Sequence, residues 1–199
     1  MRAIIIGQSP YKSFLTQYEF KKDDYIVCLD GGFLDDIPYD IDVAIGDFDT
    51  AEAPKKAKKI IKYPKEKNET DFELALMHLQ ERKDIDEILV YNATGGRLDH
   101  FLINVRLLEK YYPLNITIID DKNKISFLKK GQYEIIKDSY QYISLIVINE
   151  GIISIEGFKY NLCHQLIKSF DTYTTSNELT ASKGIITIET GSFLLIKTK

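Results

Sequence analysis

Cysteine is scarce in this chain: Cys28 and Cys163 are the only two in 199 residues. They form no CxxC pair and show no Cys/His ligand spacing, which argues against zinc and iron–sulfur sites. Histidine is nearly as rare, and His78, His100 and His164 show no HExxH spacing. Tryptophan is absent. No run approaches the ~18 apolar residues that a membrane-spanning helix needs, so no membrane partner is expected. The opening MRAIIIGQSP carries an apolar stretch too short for a signal peptide. A basic excess is also missing. With 26 Lys and Arg against 30 Asp and Glu the formal net charge is −4, which argues against general nucleic-acid binding while leaving room for a local phosphate pocket. There is no GxxxxGK[ST], no GxGxxG and no GxSxG, so the P-loop, dinucleotide and hydrolase-elbow readings fail. Neither a repeat nor a low-complexity tract is present. These absences describe a soluble protein of a reducing compartment, the cytoplasm by default.

What is present suits a sizeable core: 44% of residues are hydrophobic and 28% charged. The length allows one large domain or two small ones. In the first two-thirds, short Ile/Val/Leu runs at 2–7, 25–30, 42–47, 59–63, 87–93 and 115–120 alternate with stretches long enough for helices. Such runs suit strands buried on both faces, as in a parallel sheet. One helix is signposted at Thr70-Asp71-Phe72-Glu73, a capping-box pattern followed by an apolar face of Phe72, Ala75, Leu76 and Leu79. A second begins near Asp99 as N-cap, carries Leu102, Val105 and Leu108, and stops at Pro113.

Beyond residue 123 the texture changes. The segments 124–128, 132–136, 142–148, 152–158, 184–190 and 192–198 read as short strands, several alternating apolar and polar, with Gly or Asn at the turns. That pattern predicts an antiparallel sandwich or barrel. The expected organisation is an α/β domain with a mainly parallel sheet over 1–123, followed by an antiparallel all-β sandwich domain over 124–199.

Acidic residues and glycines recur where the first domain's strands end. Leu29-Asp30-Gly31-Gly32, Ile45-Gly46-Asp47-Phe48-Asp49-Thr50, Asn68-Glu69-Thr70-Asp71 and Thr94-Gly95-Gly96-Arg97-Leu98-Asp99-His100 each follow a predicted strand. In open α/β sheets, ligands bind outside these carboxyl ends. Asp47 and Asp49, two apart, can point to one side and share a hard cation such as Mg²⁺, which takes oxygen ligands from one or two carboxylates plus substrate phosphates. Asp71 can reach the same metal or serve the helix N-terminus through its dipole. Gly95 and Gly96 let backbone N–H groups approach phosphate, and Arg97 can bind it bidentately. Each cluster has a plainer reading: Asp-x-Asp as a polar turn, Asp71 or Asp99 as a helix cap, Gly95-Gly96 as a turn, His100 as a packed side chain, Cys28 as a small core residue. Their joint recurrence at one sheet edge favours a nucleotide-dependent phosphoryl-type transfer.

The segments IGDFDT (45–50), YPKEKNETDFELAL (63–76) and TGGRLDHFLINV (94–105) resemble the thiamine pyrophosphokinase family. GFKYNL (157–162), TSNEL (175–179) and GSFLLIK (191–197) are similar to its thiamine-binding β-domain, so the resemblance runs in order over nearly the whole chain. It implies transfer of the β,γ-pyrophosphoryl unit of ATP to the hydroxyl of thiamine, giving thiamine diphosphate and AMP. It also implies Mg²⁺, and a homodimer with its active site at the subunit interface. By the same resemblance Asp47, Asp49, Asp71 and Asp99 gather around metal and phosphates, and Ser176 and Asn177 lie by thiamine. Arg97 lies on phosphate, helped in charge by Lys67. Asp30, Gly31, Gly95 and Gly96 line the nucleotide, and Asp71 or Asp99 is the candidate base for the thiamine hydroxyl.

The chain departs from the family at Thr50, where a Ser is usual, at Asn68, where an Asp often stands, and at Asp30-Gly31-Gly32, where many relatives have D-R-G. It has no Trp to stack on thiamine, a place open to Tyr173 or another aromatic. The alternatives are a metal-dependent phosphohydrolase, a kinase for another vitamin alcohol, and a non-catalytic sensor of thiamine or nucleotide.

Overall fold

A computed structural model describes residues 1–8, 20–32, 40–49 and 54–199. Thr50, the last residue of IGDFDT, lies outside them. The chain divides into two compact units, Met1–Asp121 and Lys122–Lys199.

The first unit is a parallel sheet with helices. Its strands are β1 (Arg2–Ile6), β2 (Tyr25–Leu29), β3 (Ile41–Gly46), β4 (Ala57–Lys62), β5 (Glu87–Tyr91) and β6 (Ile116–Ile119). They pair in the order β6-β5-β1-β2-β3-β4, every pair parallel. The continuous apolar runs are explained by burial: Ala3 through Ile6, Val27, Cys28, Ala44, Ile45 and Val90 are sealed or nearly so. Burial also pushes the Cys28 thiol up to about 12, as its reading as a core residue requires. β4 is an edge among these strands and its lysines face solvent, which discourages further strand addition.

Helix α1 (Asp71–Gln80) begins as its sequence predicts. Thr70 is the N-cap, and its hydroxyl accepts the Glu73 N–H at 3.2 Å. Phe72, Ala75, Leu76 and Leu79 are all buried. The capping box is half made, because the Glu73 carboxylate turns instead to Lys110 and Tyr111.

Helix α2 (Leu98–Lys110) differs from its prediction in two ways. Its N-cap is Arg97, and Asp99 sits in the first turn. Val105, Leu107 and Leu108 are buried while Leu102 is 62% exposed. Residues 102, 105 and 108 repeat at i+3, and two such steps drift about 120° around a helix of 3.6 residues per turn. The run therefore crosses from one face to another.

In the second unit, four predicted strands merge into two. β7 (Asn123–Ile136) spans 124–128 and 132–136, and β11 (Lys183–Thr198) spans 184–190 and 192–198. The two pair antiparallel along their length, with an irregularity between Ile188 and Ser192. β8 (Tyr142–Asn149) lies along the second half of β11 and β9 (Gly151–Glu156) along the first half. The predicted turns are thus bends within long strands.

The bend falls where backbones crowd. A Cβ on Gly191, whose φ is +79°, would meet the carbonyl oxygens of Asn149 and Glu150 at 2.6 Å, and one on Gly151 would meet Thr190 O at 2.0 Å. Only glycine fits there. Beyond the bend the sheet folds over its own inner face. Leu128, Leu145, Phe193 and Leu195 from one half share a core with Ile135, Ile153, Ile155, Ile186 and Ile188 from the other. The result is the expected antiparallel sandwich. β10 (Leu162–Ile167) pairs with β9 and is not legible as a strand in the sequence. Its face is mostly exposed, and a bulge follows Leu162, with His164 at φ +47°.

Candidate active site

Strands β1 and β5 are neighbours from which the chain winds outward in opposite directions, through β2–β4 on one side and β6 on the other. A crevice at the carboxyl ends of strands is the rule at such a switch point. A cleft of about 890 Å³ is found there, lined by Gln8 after β1, Asp30 after β2, Lys67 and Asp71 around the start of α1, and Asn92 and Arg97 after β5.

Register explains the carboxylates on the β2–β3 side. Leu29 and Ile45 are partners in adjacent parallel strands, so the residues that follow them emerge side by side. Asp30, Asp47 and Asp49 each offer a carboxylate oxygen, and these oxygens lie within 4.8 Å of one another. Gly46 permits the approach, since a Cβ there would sit 2.5 Å from the Asp30 Cβ. Phe48 adopts a left-handed φ of +54°. That turn lets Asp49 N–H donate to Asp47 Oδ1 at 3.1 Å, aligning the two aspartates as the Asp-x-Asp spacing anticipates. A bulky residue in that region is strained, and such strain concentrates at functional sites.

Charge crowding is evident. The Asp30 carboxyl is held above its ordinary range, first by burial and then by neighbouring Asp47. Two lysines answer it. Lys65 pairs with Asp49 at 2.5 Å from an exposed position. Lys67 is 12% exposed and stands 2.9 Å from Asp71 Oδ1 and 3.5 Å from Asp47 Oδ2. Burial pulls the Lys67 ammonium down, but Asp71 and Asp47 outweigh it and keep it above the usual lysine value.

On the β5 side, Arg97 grips Asp99 with two contacts, Nε to Oδ1 at 3.1 Å and Nη2 to Oδ2 at 2.6 Å. With the His100 N–H at 3.0 Å, the pair holds the Asp99 carboxyl down at about 2, Arg97 contributing most. Arg97 and His100 line the cleft, as does Gly96. Gly95 takes the left-handed φ of +78° that a glycine turn uses, and Gly31 likewise at +68°. The structure therefore brings Asp30, Asp47 and Asp49 together directly and ties Asp71 to them through Lys67. It occupies Asp99 with Arg97. The sequence places Asp30 with the nucleotide rather than with the carboxylate cluster. The signal that could have found it is the matched strand endings at 29 and 45.

The second unit has its own cavity, about 370 Å³, lined by Ile155, Tyr160, Leu162, Tyr173, Thr174 and Asn177 among others. Asn177 is buried, and its side chain is engaged with the preceding loop. Oδ1 accepts the Tyr160 and Glu178 N–H groups at 3.0 Å, and Nδ2 donates to Tyr160 O at 2.8 Å. Asn177 also exchanges backbone hydrogen bonds with Ile143. Ser176, at φ +54°, uses its N–H on Ser144 Oγ at 2.9 Å. Tyr160 and Tyr173 present aromatic surface at the cavity, and both remain accessible.

A carboxylate cluster suited to a hard cation, beside cations suited to phosphate, marks an enzyme of phosphoryl or pyrophosphoryl transfer with an all-β unit appended. Comparison with known proteins narrows this. Residues 16–119 match the family described as thiamin pyrophosphokinase, catalytic domain, and residues 132–195 match thiamin pyrophosphokinase, vitamin B1 binding domain. The chain belongs to the thiamin pyrophosphokinase family. It is 39% identical to the thiamine pyrophosphokinase of Bacillus subtilis over 77% of each chain. A crystal structure of the B. subtilis thiamine pyrophosphokinase superposes with a TM-score of 0.88 at 30% identity, covering 100% of this chain and 99% of that one. The thiamin pyrophosphokinase of Geobacillus thermodenitrificans gives 0.83 at 28% identity, covering 100% and 98%.

Proposed function

We propose that this protein transfers the pyrophosphoryl group of ATP to the hydroxyl of thiamine, releasing thiamine diphosphate and AMP. The observation that carries the reading is a cleft lined by Asp30, Lys67, Asp71 and Arg97, with Asp47 and Asp49 converging on Asp30 at its wall. The donor set is all oxygen and compact, which fits Mg²⁺. Asp30, Asp47 and Asp49 would hold the ion, with Asp71 and Asp99 as further candidates. When bound, Mg²⁺ offsets charge on the polyphosphate.

The chain's own groups supply the rest. Arg97 binds phosphate by its guanidinium fork, exchanging Asp99 for the nucleotide, and Gly31, Gly95 and Gly96 let backbone approach it. Lys67 adds positive charge at the transferring group. Asp71, at the first turn of α1, accepts the proton of the thiamine hydroxyl, a role Asp99 could fill once Arg97 releases it. In the second unit, Tyr160 and Tyr173 flank a cavity suited to the rings of thiamine, and the aromatic faces favour its thiazolium cation. Asn177 shapes that cavity by holding the Tyr160 loop, with Ser176 beside it.

The protein acts as a cytoplasmic homodimer in which the thiamine half of each site comes from the partner subunit. Family membership supports this reading. Among the described residues no helix is long and apolar enough to cross a membrane.

One assay tests the activity: protein, ATP, Mg²⁺ and thiamine are mixed and the nucleotide product identified. AMP is expected, EDTA should abolish it, and added Mg²⁺ should restore it. ADP would mean a simple kinase, phosphate alone a hydrolase, and no product a sensor. Full turnover in EDTA would remove the metal from the reading.

A further inference from the structure

We infer that Lys67 is the resident counter-cation of the metal-free cleft, competing with the divalent cation for Asp47 and Asp71 until nucleotide phosphate draws its ammonium away. The inference rests on the metal and nucleotide reading above. Its warrant is the contrast between two lysines two residues apart. Lys65 reaches Asp49 from a side chain 76% exposed, where water screens the pair. Lys67 is enclosed, and its Nζ faces two carboxylates from separate elements, Asp47 after β3 and Asp71 at the start of α1. Lys67 thus sets one positive charge between two carboxylates from within the chain.

Two consequences follow from charge alone. A divalent cation that takes an Asp47 oxygen arrives within a few ångströms of the ammonium and is repelled by it. A polyphosphate entering the same cleft offers the ammonium a better partner and removes the repulsion. Metal and nucleotide therefore bind with positive coupling, and linkage makes the coupling reciprocal. Lys67 is then a positioning residue for the metal as well as a phosphate contact.

The test is the binding of Mn²⁺, as a spectroscopic substitute for Mg²⁺, to the whole protein with and without a non-hydrolysable ATP analogue. Lys67→Met should bind Mn²⁺ alone about 10-fold tighter than the parent, and the analogue should improve that binding less than it does in the parent; coupling of this kind spans roughly 5–150-fold. Lys67→Arg, which keeps the charge, should resemble the parent. A purely structural role predicts the opposite sign, since a damaged cleft binds metal more weakly. Circular dichroism verifies the fold, and Lys67→Gln is read the same way if the Met variant fails to fold. Mn²⁺ binding that is lost in Asp47→Asn but unchanged or weakened in the Lys67 variants overturns Lys67's role and leaves the metal site standing. Mn²⁺ binding indifferent to Asp47→Asn overturns the metal site itself, and this inference with it.

Discussion

At the scale of single residues, the cleft trades stability for function. Asp30 shows this most clearly. Its carboxyl is partly buried and adjoins Asp47, and both effects disfavour its ionised form in the folded chain. An acid whose folded pKa is raised stabilises the fold below its unfolded value, and that stability is lost as pH rises through the folded value. In EDTA at neutral pH, Asp30→Asn should therefore melt no lower than the parent, with the gap closing below about pH 4, the ordinary carboxyl range. The same variant should lose about 100-fold or more in kcat, the typical result of removing one electrostatic contact from a preorganised site. A variant that melts lower and still turns over would make Asp30 a structural turn residue. The residue types of the site are legible in the sequence, because aspartates and glycines recur after each predicted strand. Strand register is not legible there, and register is what joins Asp30 to Asp47 and Asp49. The Arg97–Asp99 pairing is also hidden, since their i,i+2 spacing across a helix start has no fixed geometry until the start itself is known.

At the scale of elements, legibility tracks the strength of the local signal. Helix α1 carries both a cap and a consistent apolar face, and both are readable. α2 carries apolar residues on two faces and has no side-chain cap, so its approximate start, Val105 and Leu108 are readable while the cap residue and the exposure of Leu102 are not. Glycine misleads in the second unit. Beside an antiparallel strand it usually signals a turn, but Gly191 and Gly151 sit where strands bend and two backbones nearly touch. Gly191→Ala tests that account. The left-handed φ and the 2.6 Å approach to Asn149 O and Glu150 O leave no room for a methyl group, so the loss should exceed about 1 kcal/mol. Urea unfolding of the purified variant would measure it. A turn outside the strand would absorb the methyl group with little change, and an unchanged midpoint would return the segment to that reading.

At the scale of the whole molecule, the two units divide the chemistry. The first holds the carboxylates, Lys67 and Arg97, while the second holds the aromatic cavity with Asn177 at its wall. If each complete site draws on two subunits, defects in the two units can be separated and recombined. Asp71→Asn disables the phosphate half, and Asn177→Ala releases the Tyr160 loop in the thiamine half. Each variant alone should be nearly inactive. Mixed and allowed to reassort, about half of the dimers carry one chain of each kind. In such a dimer one site collects both defects and the other is wholly native. Activity should then rise toward about a quarter of the unmodified protein, since half of the dimers hold one good site of two. Sites built within one chain would each keep a defect, and mixing would recover nothing. Gel filtration comes first, because a monomeric elution volume ends the case for a shared site before any variants are mixed.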